Sequence, residues 1–159
     1  MKYFLDTEFV EDGETIEPIS LALVRENGSH LYIEFKFNEY KAIRNDFVRD
    51  RVLPHLKLPI SQRMLRSEAR DAILRFVGPY DTPEFWAYYA AYDWVLFCQL
   101  FGSMVQLPDR FPKLCLDLQQ EWLMRSPRPP KPPEPTQAHN ALADAYWNLA
   151  LYRVLRGQP

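Results

Sequence analysis

Cysteine is scarce in this 159-residue chain: Cys98 and Cys115 are the only two, far apart and without CxxC spacing. That excludes a disulfide framework and a cysteine metal knuckle, and it predicts two buried free thiols in a reducing compartment. Long apolar runs are missing too, since no stretch approaches the length of a membrane span. The opening has one lysine and a three-residue apolar run cut off at Asp6, which is not the pattern of a secretory leader. The expectation is a cytoplasmic protein with no membrane partner. Net charge is only −2, which excludes a polycation that coats nucleic acid wholesale. No internal repeat is present. What the chain does have is 47% apolar and 14% aromatic residues, enough for one folded domain over residues 1–159 and too much for a disordered chain.

The small net charge hides an uneven distribution. Residues 1–35 carry two basic and eight acidic side chains, residues 36–75 ten and five, and residues 76–159 seven and eight. An acidic opening beside a basic middle suits a metal-dependent enzyme with an anionic substrate, although a solvated arginine-rich surface reads the same way.

The acidic opening has a definite form. Tyr3-Phe4-Leu5-Asp6-Thr7-Glu8-Phe9 is a hydrophobic strand running into two carboxylates one residue apart. Strand side chains alternate, so Asp6 and Glu8 share a face. Two anions held together repel unless a cation lies between them, which makes the pair a candidate divalent-metal site.

Residues 2–7 and 16–24 read as strands, and Asn27-Gly28 turns the second into a third over 31–37, giving an antiparallel meander. Residues 45–53 predict a short helix stopped at Pro54, and Ser67 to Val77 a better one ended by Gly78-Pro79. Glu84 to Ala91 predicts an aromatic-rich strand. Asp93 predicts the N-cap of a helix over 94–101, and Leu116 to Met124 predicts a helix. Six prolines among residues 126–136 predict a stiff, extended loop. Asn140 caps a last helix over Ala141 to Leu155. Strands followed by alternating helices and strands indicate an α/β domain with a mixed sheet.

His139 and Asp144 form a late pair. Five residues on a helix is roughly 500° of rotation, so the two can act together only if His139 stands before the helix and Asp144 one turn inside it. Ala141, Ala145 and Asn148 fall on the same side as Asp144, and the small alanines allow close approach to the sheet. Asp6, Glu8, Asp93 and Asp144 with His139 then make four carboxylates and an imidazole. Oxygen donors favour Mg²⁺ or Mn²⁺ over zinc. Two such ions, roughly 3.5–4 Å apart, form a clamp for in-line attack on phosphodiesters, with a neutral imidazole placed to take a proton from water.

Asp6-Thr7-Glu8-Phe9, Tyr92-Asp93 and His139-x-Ala141-x-x-Asp144 resemble the three motifs of the DEDDh exonucleases, a group of the DnaQ-like superfamily with a ribonuclease H-like fold. Within that group, Ala91-Tyr92-Asp93-Trp94-Val95 and Cys98-Gln99-Leu100-Phe101-Gly102 resemble the small actinobacterial polyadenylate-specific 3′-exoribonucleases, which are similar to ribonuclease T. The resemblance implies a mixed five-stranded sheet flanked by helices and a 3′→5′ exoribonuclease that releases nucleoside 5′-monophosphates from single-stranded RNA. It implies two Mg²⁺ or Mn²⁺ ions per site: Asp6 bridging, Glu8 and Asp144 on the metal that binds water, Asp93 supporting the second, and His139 as general base. It also implies that Thr7 and Phe9 contact the terminal nucleotide, and that the protein is a homodimer. Single-stranded DNA or short oligonucleotides as substrate, and a non-catalytic nucleotide-binding or scaffold module on the same fold, remain the alternatives.

Overall fold

A computed structural model describes residues 1–158. Its centre is a five-stranded mixed sheet in the order β3-β2-β1-β4-β5. Strands β1 (Lys2–Glu11), β2 (Ile16–Arg25) and β3 (His30–Glu34) form the expected antiparallel meander, with Gly28 in the left-handed conformation at the second turn. Strand β4 (Glu84–Ala87) lies parallel to β1, and the two-residue β5 (Leu116–Asp117) lies parallel to β4.

The first half of β1 is covered on both faces, which is why Tyr3, Phe4 and Leu5 are apolar in succession and do not alternate with polar residues. Tyr3 and Leu5 face one layer, where α2 (Arg66–Val77) contributes Ala69, Ile73 and Val77 and α3 (Ala91–Leu100) contributes Phe97 and Leu100. Phe4 faces the other layer, against Ala141, Ala145, Leu149 and Tyr152 of α5 (Ala141–Leu155). Asp6 and Glu8 continue the register of Phe4 towards α5, and Thr7 continues that of Leu5 towards α3. The pairing then slips: Glu8 faces Ser20 but Phe9 faces Pro18, leaving Ile19 as a bulge. Pro18 has no N–H to give the ladder, so the irregularity falls there.

Several boundaries differ from the sequence expectations. Helix α1 (Glu39–Arg44) precedes the short helix predicted over 45–53 and is capped by Asn38, whose side chain accepts from the Lys41 amide. A π-helical turn over Val48–Val52 and a 3₁₀ turn over Leu53–His55 follow it. The strand expected over 84–91 stops at Ala87, because Tyr89 turns the chain with φ of +57° and α3 starts at Ala91. Asp93 therefore stands inside the first turn of α3 and is not its N-cap; Ala90 holds that place. The predicted helix 116–124 is β5 followed by α4 (Leu118–Leu123), with the Asp117 side chain accepting from the Gln120 amide. Cys98 is buried as expected and Cys115 is only partly covered; both are free thiols. No helix among the described residues is long and apolar enough to cross a membrane.

Candidate active site

Three carboxylates converge where β1 meets α5. Ligand oxygens of Asp6, Glu8 and Asp144 all lie within 4.8 Å of one another. Asp6 and Glu8 share one face of β1, as strand alternation requires. Asp144 reaches them because α5 sits tight on the sheet. Ala141 and Ala145 are fully buried in the layer that holds Phe4 of the strand, and Asn148 Nδ2 donates to the Leu5 carbonyl at 2.9 Å.

The start of α5 is built by local chemistry. The Asn140 side chain accepts from the amides of Leu142 and Ala143. His139, one residue earlier, has φ of +67°, so the chain turns sharply before the helix. Its backbone N–H donates to Asp144 Oδ2 at 2.8 Å. The pair thus meets in the arrangement the five-residue spacing demanded, with His139 outside the helix and Asp144 one turn within. The His139 ring packs edge-on against Phe47, with centroids 4.8 Å apart.

Asp93 approaches from the other side of the sheet. Its Oδ1 accepts from the Thr7 amide at 2.8 Å and the Thr7 hydroxyl at 2.6 Å. β4 ends before it can pair with Thr7, so that buried amide finds its acceptor in Asp93. Asp93 lies outside the close group of three but lines the same cleft, and so do Thr7, Phe9 and His139. Every sequence-predicted site residue is therefore in one cavity of about 620 Å³. Thr7 is 6% exposed and its hydroxyl is engaged by Asp93. Phe9 is half-buried and stacks on Tyr92, with centroids 5.3 Å apart and planes 20° from parallel.

The electrostatics are those of anions packed without a counter-charge. Burial, followed by the charges of Asp93, Glu8 and Asp144, pushes Asp6 well above the ordinary carboxylate range. Burial, then Asp144 and Asp93, raises Glu8 to about 8. Burial raises Asp93 to about 7 against the opposing pull of its Thr7 hydrogen bonds. Burial raises Asp144 as well, opposed by the His139 amide and imidazole. A divalent ion would reverse this: one or two such ions, each bringing two positive charges among these oxygens, would hold the four groups ionised. Convergent oxygen donors of this kind fit Mg²⁺ or Mn²⁺.

The cleft also contains residues that sequence reasoning did not single out. Phe47, Tyr88, Tyr89, Lys131 and Trp147 line it. Phe47 had one available signal, a large apolar side chain inside the charged run 44–51, and it is 53% exposed. Tyr88 and Tyr89 were absorbed into a predicted strand.

No protein-family model matches the chain. It is similar, however, to the 3′-5′ exoribonucleases of two Mycobacterium tuberculosis strains. Each is 41% identical to it over 166 aligned positions, covering 98% of this chain and 93% of theirs. The motif-bearing residues all fall within a match of that extent. The chain belongs to the family of these 3′-5′ exoribonucleases.

Proposed function

We propose that this chain is a DEDDh-type 3′→5′ exoribonuclease, one catalytic domain of ribonuclease H-like fold. It removes nucleoside 5′-monophosphates one at a time from the free 3′ end of single-stranded RNA, and it works as a homodimer. The observation that carries the reading is the convergence of Asp6, Glu8 and Asp144 within 4.8 Å, in a chain whose full-length relatives are 3′-5′ exoribonucleases.

The proximity of the acids supports the roles that the resemblance implies. Asp6, Glu8 and Asp144 would hold the metal, with Asp6 as the ligand common to both ions. Asp93, braced by both donors of Thr7, supports a second ion. When bound, two Mg²⁺ or Mn²⁺ ions supply the positive charge that polarises the scissile phosphate and acidifies water. The His139 imidazole takes the proton from the attacking water. It stands on a sharp turn whose backbone N–H donates to Asp144, which keeps the two residues adjacent. Phe9, backed by Tyr92, offers a face to the terminal base, and Thr7 reaches the terminal nucleotide.

The test is a time course on RNA labelled at the 3′ end and, separately, at the 5′ end, with Mg²⁺ and with chelator. The expected result is immediate release of labelled mononucleotide from the 3′ label, a descending ladder from the 5′ label, and neither in chelator. Matched DNA oligomers in the same assay separate RNA from DNA preference. Product from internal cleavage, or full activity in chelator, would refute the assignment.

A further inference from the structure

The proline-rich segment forms one wall of the catalytic cleft, through Lys131, Pro132, Glu134 and Pro135. Proline fixes φ, so the segment is stiff by composition. Two tryptophans pin it further. Trp122 Nε1 donates to the Pro129 carbonyl at 2.8 Å, and Trp147 Nε1 donates to the Pro132 carbonyl at 3.2 Å. Lys131 stands between those anchors.

The Lys131 ammonium donates to the Tyr88 hydroxyl at 2.6 Å and to Gln119 Oε1 at 2.9 Å. It also lies 4.3 Å from the Trp122 ring centroid and 4.8 Å from that of Tyr88. An ammonium has three donors, so one is left over. Among the described residues no carboxylate forms an ion pair with it, although Glu134 lines the same wall. Apart from His139, the other titratable groups with charge to offer the cleft are all acids: Asp6, Glu8, Asp93, Glu134 and Asp144. Lys131 is thus the one lysine or arginine of the cleft, half-buried among aromatics. Its direct partners are all neutral, so no protein carboxylate neutralises it by contact.

We infer that the missing anion is a backbone phosphate of the substrate, and that the proline wall holds Lys131 in place to receive it. The inference rests on the exonuclease reading. The carboxylates and their ions take the scissile phosphate. The terminal nucleotide has a free 3′ hydroxyl, so every other phosphate lies on the 5′ side. Lys131 therefore binds a phosphate upstream of the cleaved bond and positions the single strand.

The test uses the full chain and a 5′-fluorescein-labelled single-stranded RNA 12-mer. Anisotropy is followed from 50 to 300 mM KCl with Ca²⁺ present, alongside initial rates with Mg²⁺. Loss of one phosphate contact lowers the slope of log Kd against log salt by about 0.7, equivalent to weaker binding by roughly eightfold at 50 mM and threefold at 200 mM. Lys131→Gln should show that change, with the kinetic loss falling on KM and not on kcat, and Lys131→Arg should restore the slope. Tyr88→Phe removes the hydroxyl acceptor but keeps the charge, so its slope should match wild type even where loop packing suffers. An unchanged slope in Lys131→Gln, or a slope lowered equally in Lys131→Arg or Tyr88→Phe, overturns the subsite and leaves a structural strut. A wild-type protein that releases no nucleotide sinks the exonuclease reading instead, and the slopes still decide whether Lys131 meets phosphate.

Discussion

Asn148 and Leu5 are joined across the interior: the Asn148 side-chain amide donates to the Leu5 carbonyl at 2.9 Å, with both groups buried. Leu5 immediately precedes Asp6, and Asn148 lies one turn beyond Asp144. One hydrogen bond therefore ties together the strand and helix that carry the three converging carboxylates. Truncating Asn148 to alanine leaves a buried carbonyl without its donor, at a cost of about 1–3 kcal/mol. For a chain of this size that is a fall in Tm of roughly 2–12 °C. Thermal melts in a Mn²⁺ series should show, in addition, weaker stabilisation by metal than in wild type. Equal metal stabilisation in the variant would mean that the bond does not set the ligand spacing.

Removing one anion should separate activity from stability. Asp6→Asn deletes the charge that burial and three neighbouring carboxylates oppose most. In chelator its Tm should rise above wild type, while added Mn²⁺ should no longer raise it. Metal ions contribute several kcal/mol to stabilising charge in the transition state, so the rate should fall more than about hundredfold. Retained activity on the labelled RNA would disprove the metal assignment.

The raised carboxylates make a signed prediction about pH. In the unfolded chain such acids titrate near about 4. In the folded protein Glu8 is held at about 8 and Asp93 at about 7. Between those limits the folded state binds more protons than the unfolded state, so stability falls as pH rises from about 4 to about 8. The Tm of the metal-free protein should therefore be higher at about pH 5.5 than at about pH 8.5. Saturating Mn²⁺ should flatten or invert that trend, because metal favours the ionised forms. Calorimetry at the two pH values, with and without metal, checks the sign.

His139 can be tested apart from metal binding, because its contact with Asp144 uses the backbone N–H, which an alanine keeps. His139→Ala should lower kcat by about 10²–10⁴-fold, the range for a lost general base. Tm should fall only slightly, since the ring loses one edge-on aromatic contact worth about 0.5–1.5 kcal/mol, that with Phe47. Mn²⁺ titration should match wild type. A variant that loses metal along with activity would make His139 a structural residue of the site.

Features with a local chemical cause were readable in the sequence. The alternation that puts Asp6 and Glu8 on one face, the Asn27-Gly28 turn and the Asn140 cap all depend on nearest neighbours, and each stands where the residues predicted. Features decided by tertiary context were not. β5 has two residues, too few to show a period, and exists because β4 offers an edge. Tyr89 turns the chain at a positive φ that glycine usually marks; the turn is held instead by the Asp117 carboxylate on the Ala90 amide at 2.8 Å and by Tyr88 against Trp147. That turn also moved Asp93 from a cap to an interior position, where its acceptor serves Thr7. The lysine of the proline segment was invisible for the same reason, since its partners Tyr88 and Gln119 are 43 and 12 residues away.

β1 lies at the middle of the sheet, bonded on both edges and covered on both faces. Amides in such a strand exchange with solvent only when the whole domain opens. Asp6 and Glu8, the two acids proposed as metal ligands from this strand, thus sit on backbone expected to be among the slowest to exchange, whereas His139 sits on a turn with one helix behind it. Breathing of the site must come from the histidine side, so deuterium uptake at residues 135–141 would outpace that at residues 3–8 by orders of magnitude. Loss of a core side chain in β1, such as Phe4 or Leu5, would cost the whole domain its stability, whereas a change confined to the carboxylate of Asp6 leaves that core in place.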